Sequence, residues 1–272
     1  MNVLITLMKR HLLETRWQLG LSAGAFFGLS ILTSWIISRY QKLVETDPEL
    51  AFERFRFMRG LGGAAFDYST TAMQVCWFNH PIIFLTVLSW SIARGSAAVA
   101  GEIERGTIDV TLSRPISRAA YLASQVIYTS MGLIVLAVAV VAGNLAGSLF
   151  FGLKTPASFT TLLRPGLMLV ALGLSVFGYT LPFSTFDVVR WRPTLAGAAI
   201  TLGGLLAMTI APQFESVKWL EKLSVFQAYA PVTVALKGEP LAYNVIALCS
   251  VFAAGLVLAF WAFSRRDLPS NS

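Results

Sequence analysis

Six long apolar stretches constrain this chain more than any other feature of its sequence. A helix that crosses a bilayer needs about 20 mostly apolar residues, because the hydrocarbon core is about 30 Å thick. That layer holds no water, so a spanning segment must pair its own backbone polar groups, as a helix does. The sequence therefore predicts an all-α polytopic membrane protein with six transmembrane helices, at residues 19–38, 77–100, 121–151, 166–183, 193–210 and 241–263.

The composition supports a membrane protein rather than a soluble one. Of 272 residues, 56% are hydrophobic and 13% are charged, shares that lie well above and well below those of soluble domains. The net charge of +7 would suit nucleic acid, but the Lys and Arg residues stand beside apolar stretches, where lipid headgroups and membrane orientation account for them. We expect a single transmembrane domain over residues 1–272, a lipid bilayer around it, and no nucleic-acid partner.

The segments outside the spans predict shorter elements. Residues 1–17 have apolar positions near helical spacing beside basic ones, which fits an N-terminal interfacial helix or the charged flank of the first span. The polar stretch after residue 38 predicts a water-side loop with a short amphipathic helix, or a lip that gates substrate. Residues 213–239 hold too short an apolar run to cross the bilayer and predict a short outer helix pair before the sixth span.

Two sets of glycines predict close packing between helices. Gly20, Gly24 and Gly28 recur at every fourth position of the first span, and Gly143 and Gly147 form a shorter pair in the third. Small residues at this spacing let two helices approach closely. The sequence leaves open whether the partner of the first ridge lies in this chain or in a second copy.

The two cysteines, Cys76 and Cys249, belong to no CxxC motif and no Cys/His cluster. We expect buried thiols and no metal site, with a disulfide between them as the weaker alternative. His80 precedes Pro81 at the start of the second span, and it is expected at the membrane interface rather than as a ligand.

An even number of spans places both termini on one side of the membrane, together with residues 101–118. Basic residues adjoin span ends on that side, at Arg190 and Arg192 and at Arg265 and Arg266. Cytoplasmic flanks are enriched in Lys and Arg. We therefore expect this side to be cytoplasmic.

Residues 101–118, GEIERGTIDVTLSRPISR, form a polar stretch between the second and third spans. Carboxylates in this stretch could face a basic partner surface, and the first two lie where a helix start favours negative charge. These acidic residues are Glu102, Glu104 and Asp109. The stretch therefore predicts a contact surface for a partner outside the bilayer.

The same stretch also has the residues of a short rigid helix. Ile103, Ile108 and Leu112 could supply its apolar contact, and Pro115 would end it. Gly106 permits either a close backbone approach or a local bend. The alternative is an ordinary solvated loop whose charges only terminate the spans.

The run from Glu102 to Leu122 resembles the signature of type-2 ATP-binding-cassette (ABC) transporter permeases. In that family an acidic residue, a Gly-Thr pair and a Pro-[IV]-[ST]-R turn precede the third span. The six-span layout and the outer helix before the last span are also similar. The resemblance implies a coupling helix that docks on a separate nucleotide-binding ATPase subunit, with the ATPase-coupling residues Glu102, Ile103, Glu104, Arg105, Gly106, Thr107, Asp109, Arg114 and Pro115.

The resemblance implies that the chain is the permease subunit of an ABC exporter in a bacterial inner membrane. It also implies that the chain pairs with a second copy or a paralogue. Its cargo would be apolar or amphipathic. The chain has no G-x-x-x-x-G-K-[ST] motif, so we expect no catalytic residue and no cofactor in it, with ATP and magnesium on the partner subunit. The alternatives are a non-transporting scaffold that tethers a cytoplasmic partner and an ion-coupled carrier, although the span centres lack the charged groups that carriers usually need.

Overall fold

A computed structural model describes residues 3–57, 68–108, 113 and 116–266 of the chain. Regular structure within these ranges is helical throughout, which confirms the all-α prediction. Six helices in them are long and apolar enough to cross a membrane: Ile5–Thr46, Thr70–Glu104, Arg118–Phe151, Phe159–Phe186, Trp191–Gln213 and Leu241–Arg265.

The α-helices of six or more residues are numbered here in chain order. They are α1 Val3–Thr46, α2 Pro48–Phe55, α3 Thr70–Cys76, α4 Pro81–Ser96, α5 Arg118–Phe151, α6 Phe159–Phe186, α7 Trp191–Ile210, α8 Pro231–Leu236 and α9 Leu241–Arg265.

The first helix is longer than its predicted span. With 44 residues, α1 is about 66 Å long at 1.5 Å per residue, roughly twice the hydrocarbon thickness. No separate interfacial helix occupies residues 3–17, because these residues are the first turns of α1 and contain no Gly or Pro that would interrupt it. The structure thus corrects the predicted interfacial helix and favours the alternative, a charged flank of the first span.

The second span begins earlier than residue 77. Its first turns are α3, where the Ser69 hydroxyl accepts a hydrogen bond from the Ala72 N–H at 3.1 Å, and a 3₁₀ turn at Trp77–Asn79 joins it to α4. Pro81 occupies the first position of α4, and the Nδ1 atom of His80 accepts a hydrogen bond from the Ile82 N–H at 3.3 Å. A π-helical turn, Ala97–Gly101, then leads to a single α-turn, Glu102–Glu104.

The fourth span is also longer than predicted. It was predicted at residues 166–183, but α6 covers Phe159–Phe186 and continues through Pro165 and Pro182. It begins where the Ser158 hydroxyl accepts a hydrogen bond from the Thr161 N–H at 3.2 Å. Both prolines are buried, and neighbouring helices in a membrane protein can compensate for the backbone groups that proline leaves free.

The segment before the last span consists of short helical pieces rather than two regular helices. Three 3₁₀ segments, Ala211–Gln213, Glu215–Leu223 and Val225–Ala228, precede α8. The second half of the segment packs inward, because Tyr229 is buried and its hydroxyl donates a hydrogen bond to the Phe78 carbonyl at 2.9 Å. Its position on the outer face of the membrane stays a prediction.

The two sets of glycines have different surroundings. A Cβ added at Gly143 would lie 2.5 Å from the carbonyl oxygen of Phe27, and one at Gly147 would lie 2.6 Å from the Cβ of Ser34, so α1 and α5 are in close contact there. Along the ridge of Gly20, Gly24 and Gly28, no described atom lies within 4 Å of the added Cβ. This ridge therefore contacts no helix in the described part of the chain.

A further close contact joins α6 and α9. A Cβ at Gly255 of α9 would lie 2.0 Å from the carbonyl oxygen of Gly178 in α6. Nothing in the sequence pairs these two single glycines. Cys76 is buried, Cys249 is partly buried, and both are free thiols, so the weaker alternative of a disulfide is wrong.

Candidate functional site

Several chain segments meet at one end of the helix bundle, which we call the loop end. The Nη1 atom of Arg266 donates to the carbonyl oxygens of Thr185 at 2.7 Å and Asp187 at 2.8 Å. The Nη1 atom of Arg118 donates to the Phe263 carbonyl at 3.2 Å. These bonds join the start of α5, the end of α6 and the end of α9. The loop end therefore holds the connection between the second and third spans and the connection between the fourth and fifth spans.

Glu102 is a buried carboxylate at the loop end, with 2% of its surface exposed. It accepts hydrogen bonds from the Nη2 atom of Arg10 at 2.9 Å and from the Thr107 hydroxyl at 2.6 Å. Arg105 forms a further ion pair with it. Burial of a charge is costly unless partners compensate for it, and these three side chains supply that compensation.

The orientation of Glu102 corrects one sequence expectation. The carboxylate was expected to face a partner surface, yet it points into the chain because Arg10 at the start of α1 binds it. Glu102 therefore fastens the Glu102–Glu104 turn to α1. Its part in ATPase coupling stays a prediction.

Glu104 provides a second internal attachment while remaining exposed. Its Oε2 atom accepts a hydrogen bond from the backbone N–H of Arg190 at 3.0 Å. Arg190 immediately precedes α7. The same turn is thus bonded to the start of α1 through Glu102 and to the start of α7 through Glu104.

The turn changes direction at Gly106, whose φ of +68° lies in the left-handed region that favours glycine. No described atom lies within 4 Å of a Cβ added there. Of the two uses that the sequence suggested for Gly106, the structure therefore supports the bend, and a close approach by a partner backbone stays a prediction.

The apolar side chains of the turn face inward. Ile108 is 2% exposed and belongs to a cluster with Tyr121, Phe177 and Phe263, and Ile103 packs against that cluster. The expectation that Ile108 contacts a partner is therefore corrected, since its own chain covers it, whereas the part of the half-buried Ile103 in ATPase coupling stays a prediction. The coupling candidates Asp109, Arg114 and Pro115, and also Leu112, lie outside the described residues.

A short tip of the turn points outward. Glu104 and Arg105 are exposed there, and Gly106 is half-buried beside them. The described coupling residues therefore divide into an inner group around the buried Glu102 and this outer tip, which is itself bonded to the start of α7 through Glu104. We call Glu104, Arg105 and Gly106 the loop tip.

Buried polar side chains behind the turn were not found by the sequence analysis. His11 is buried, and its Nε2 atom lies 3.3 Å from the Ser124 hydroxyl. Thr15 is hydrogen-bonded to the hydroxyl of Tyr128. In the sequence, His11 and Thr15 of α1 have the same four-residue spacing as Ser124 and Tyr128 of α5. This match was the signal that could have predicted the contact.

Arg94 also lies within this polar region. Its Nη2 atom donates a hydrogen bond to the Oε1 atom of Gln125 at 2.9 Å. Its guanidinium carbon lies 4.9 Å from the centroid of the Tyr128 ring, a cation–π contact. Within the described ranges, no cluster of His, Cys, Asp and Glu could hold a metal ion.

Comparison with known proteins identifies the family. Residues 16–268 match the model of the ABC-2 family transporter protein. The chain belongs to the ABC-2 transporter family. This confirms the resemblance to type-2 ABC permeases, and together with the six apolar helices it shows an integral membrane protein.

One relative of this ABC-2 chain is the "Uncharacterized protein YhcI" of Bacillus subtilis (strain 168). The two are 28% identical over 201 residues, which cover 66% of this chain and 64% of the relative. The chain thus spans slightly less than two thirds of that protein's length. No solved structure matches the chain.

Proposed function

We propose that this ABC-2 chain is the permease subunit of an ABC exporter that moves an apolar or amphipathic substrate. ATP and magnesium are bound by a separate nucleotide-binding subunit, which docks on the loop tip. The observation that carries the proposal is the division of the turn into an exposed tip and an inner group bonded to other helices. An ordinary solvated loop would expose its carboxylates to water, whereas Glu102 is buried and bonded to other side chains of the chain.

Movement of the loop tip would reach several helices. Glu102 connects it to α1 through Arg10, and Glu104 connects it to α7 through the Arg190 N–H. Ile108 connects it to the cluster that includes Tyr121 of α5. A hydrogen bond to a charged group contributes about 1.5–3 kcal/mol when it is buried and less than about 1 kcal/mol when it is exposed, as at Glu104. We therefore expect the turn to move with α1 and with the apolar cluster, and less tightly with α7.

The rest of the assembly belongs to the same proposal. The loop end and both termini face the cytoplasm of a bacterium, and the chain lies in the inner membrane. A second copy or a paralogous permease completes the complex, and the exposed ridge of Gly20, Gly24 and Gly28 supports a helix partner from outside the described chain.

The proposal is tested with Gly106→Pro in the purified complex of the chain with its ATPase subunit. Proline fixes φ near −65°, which is incompatible with the φ of +68° at Gly106. The matched control is Gly238→Pro, because Gly238 has a similar φ of +70° and lies before α9.

We expect Gly106→Pro to lower ATP turnover by about tenfold, which is about 1.4 kcal/mol in activation free energy, and Gly238→Pro to leave turnover near wild type. Equal turnover in the two variants would refute coupling through the loop tip. A complex that forms but never moves substrate in vesicles would favour the scaffold alternative.

A further inference from the structure

A polar cavity of about 430 Å³ lies behind the turn, between α1, α4 and α5. Among the described residues, its wall holds four arginines and two glutamates: Arg10, Arg94, Arg105, Arg190, Glu14 and Glu102. The arginines exceed the glutamates by two positive charges. The cavity is therefore suited to a negatively charged ligand.

The ion pairs show which arginines remain available. Glu14 binds the Nε atom of Arg10 at 2.7 Å, and Glu102 binds Arg10 and Arg105. In the described part of the chain, neither Arg94 nor Arg190 forms an ion pair with a carboxylate. The excess positive charge thus lies on these two side chains.

Two buried donors in the cavity wall lack acceptors. Among the described residues, neither the Nε atom of Arg94 nor the Nε1 atom of Trp90 has a hydrogen-bond partner. The two residues are one turn apart on α4, and both line the cavity. Both nitrogens have almost no exposed surface, although their side chains line the cavity. Buried donors are almost always paired in folded proteins, so a small movement of either side chain would let it pair with a ligand rich in acceptor oxygens.

We propose that the cavity binds a phosphate group, with Arg94 as its main donor and Trp90 as a second donor. A guanidinium matches the oxygens of phosphate with two parallel hydrogen bonds. The cavity has room for the phosphate and for part of the molecule attached to it. Both a phospholipid headgroup and free inorganic phosphate offer this chemistry.

The site is a property of the permease chain alone, so it is tested without the ATPase subunit and does not depend on the proposed coupling. The delipidated full chain in detergent is titrated with inorganic phosphate by calorimetry. In a second arm, it is titrated with dioleoyl phosphatidylglycerol and examined by native mass spectrometry.

We expect saturable one-to-one binding in at least one arm. Arg94→Gln should weaken it by at least about tenfold, as for the loss of a charged hydrogen-bond donor. The matched control is Arg16→Gln, because Arg16 is exposed on α1 and lies outside the cavity, and its affinity should stay within about twofold of wild type.

The arms distinguish the two sources of phosphate, because binding in one arm alone identifies that source. Trp90→Phe removes the Nε1 donor together with part of the ring that packs on Gly132, and it should weaken binding even if Arg94→Gln does not fold. Thermal unfolding in the same detergent checks that each variant is folded. The proposal is overturned if neither probe binds saturably, or if Arg94→Gln and Trp90→Phe both bind as tightly as wild type.

Discussion

The two faces of α1 show how differently the same helix is used. Its inner face holds the buried residues His11, Phe26 and Ser30 and contacts α5, whereas its outer face holds Gly24 and Trp17, both exposed. Glycines at four-residue spacing occur on the outer face of α1 and in α5, but only those of α5 contact another helix of the described chain. Such spacing indicates that close packing is possible, and it does not indicate which partner is used.

The largest expected effect on stability comes from replacing a glycine that contacts another helix, compared with a glycine on the open face of α1. Gly143→Leu should destabilise the chain by about 3 kcal/mol or more, because a new side chain would overlap α1. Gly24→Leu, the matched control, should change the free energy of unfolding of the monomeric chain by less than about 0.5 kcal/mol, since its surroundings within one chain are open. Denaturant titration in mixed micelles measures both, and equal losses would contradict the assigned faces.

A smaller effect is expected when an arginine of α1 that pairs with a buried carboxylate is compared with an exposed arginine of the same helix. Arg10→Gln removes the donor of a 2.9 Å bond to the buried Glu102 carboxylate and should cost about 1–2 kcal/mol of unfolding free energy. Arg16→Gln changes an exposed arginine of the same helix and should cost less than about 0.5 kcal/mol. The comparison fails if unfolding shows the Arg16 variant to be as destabilised as the Arg10 variant.

The smallest effect is expected at the far end of α1, where Glu45 forms an ion pair with Lys154. The two side chains are 55% and 73% exposed, so solvent screens the pair. Lys154→Gln should leave the unfolding transition unchanged. A shift of the unfolding transition as large as that of Arg10→Gln would show that solvent exposure does not determine how much these ion pairs stabilise the chain.

Much of the fold could be predicted from the sequence, because spanning a bilayer requires long apolar helices. The six spans follow from hydropathy alone, and the spacing of Gly143 and Gly147 identified a close helix contact. The bounds of α6 could not be predicted, since Pro165 and Pro182 normally end helices and only the packing of neighbouring helices keeps them inside one.

The candidate site was predicted in position but not in orientation. Charged residues beside a span normally face water, so Glu102 was expected to point outward. Its partner Arg10 is 92 positions away, and nothing local in either stretch links the two. The same holds for Ile108, whose apolar neighbours come from α5, α6 and α9.

The central claim is that the Arg10–Glu102 pair links the loop tip to α1 during ATP-driven transport. The most direct test is a double-mutant cycle on ATP turnover of the complex, with Arg10→Gln, Glu102→Gln and the two combined. Each single variant should lower turnover, and the double variant should be no slower than the slower single, because both changes break the same contact. If the two losses multiply in the double variant, or if the single variants turn over ATP like wild type, the pair does not form this link.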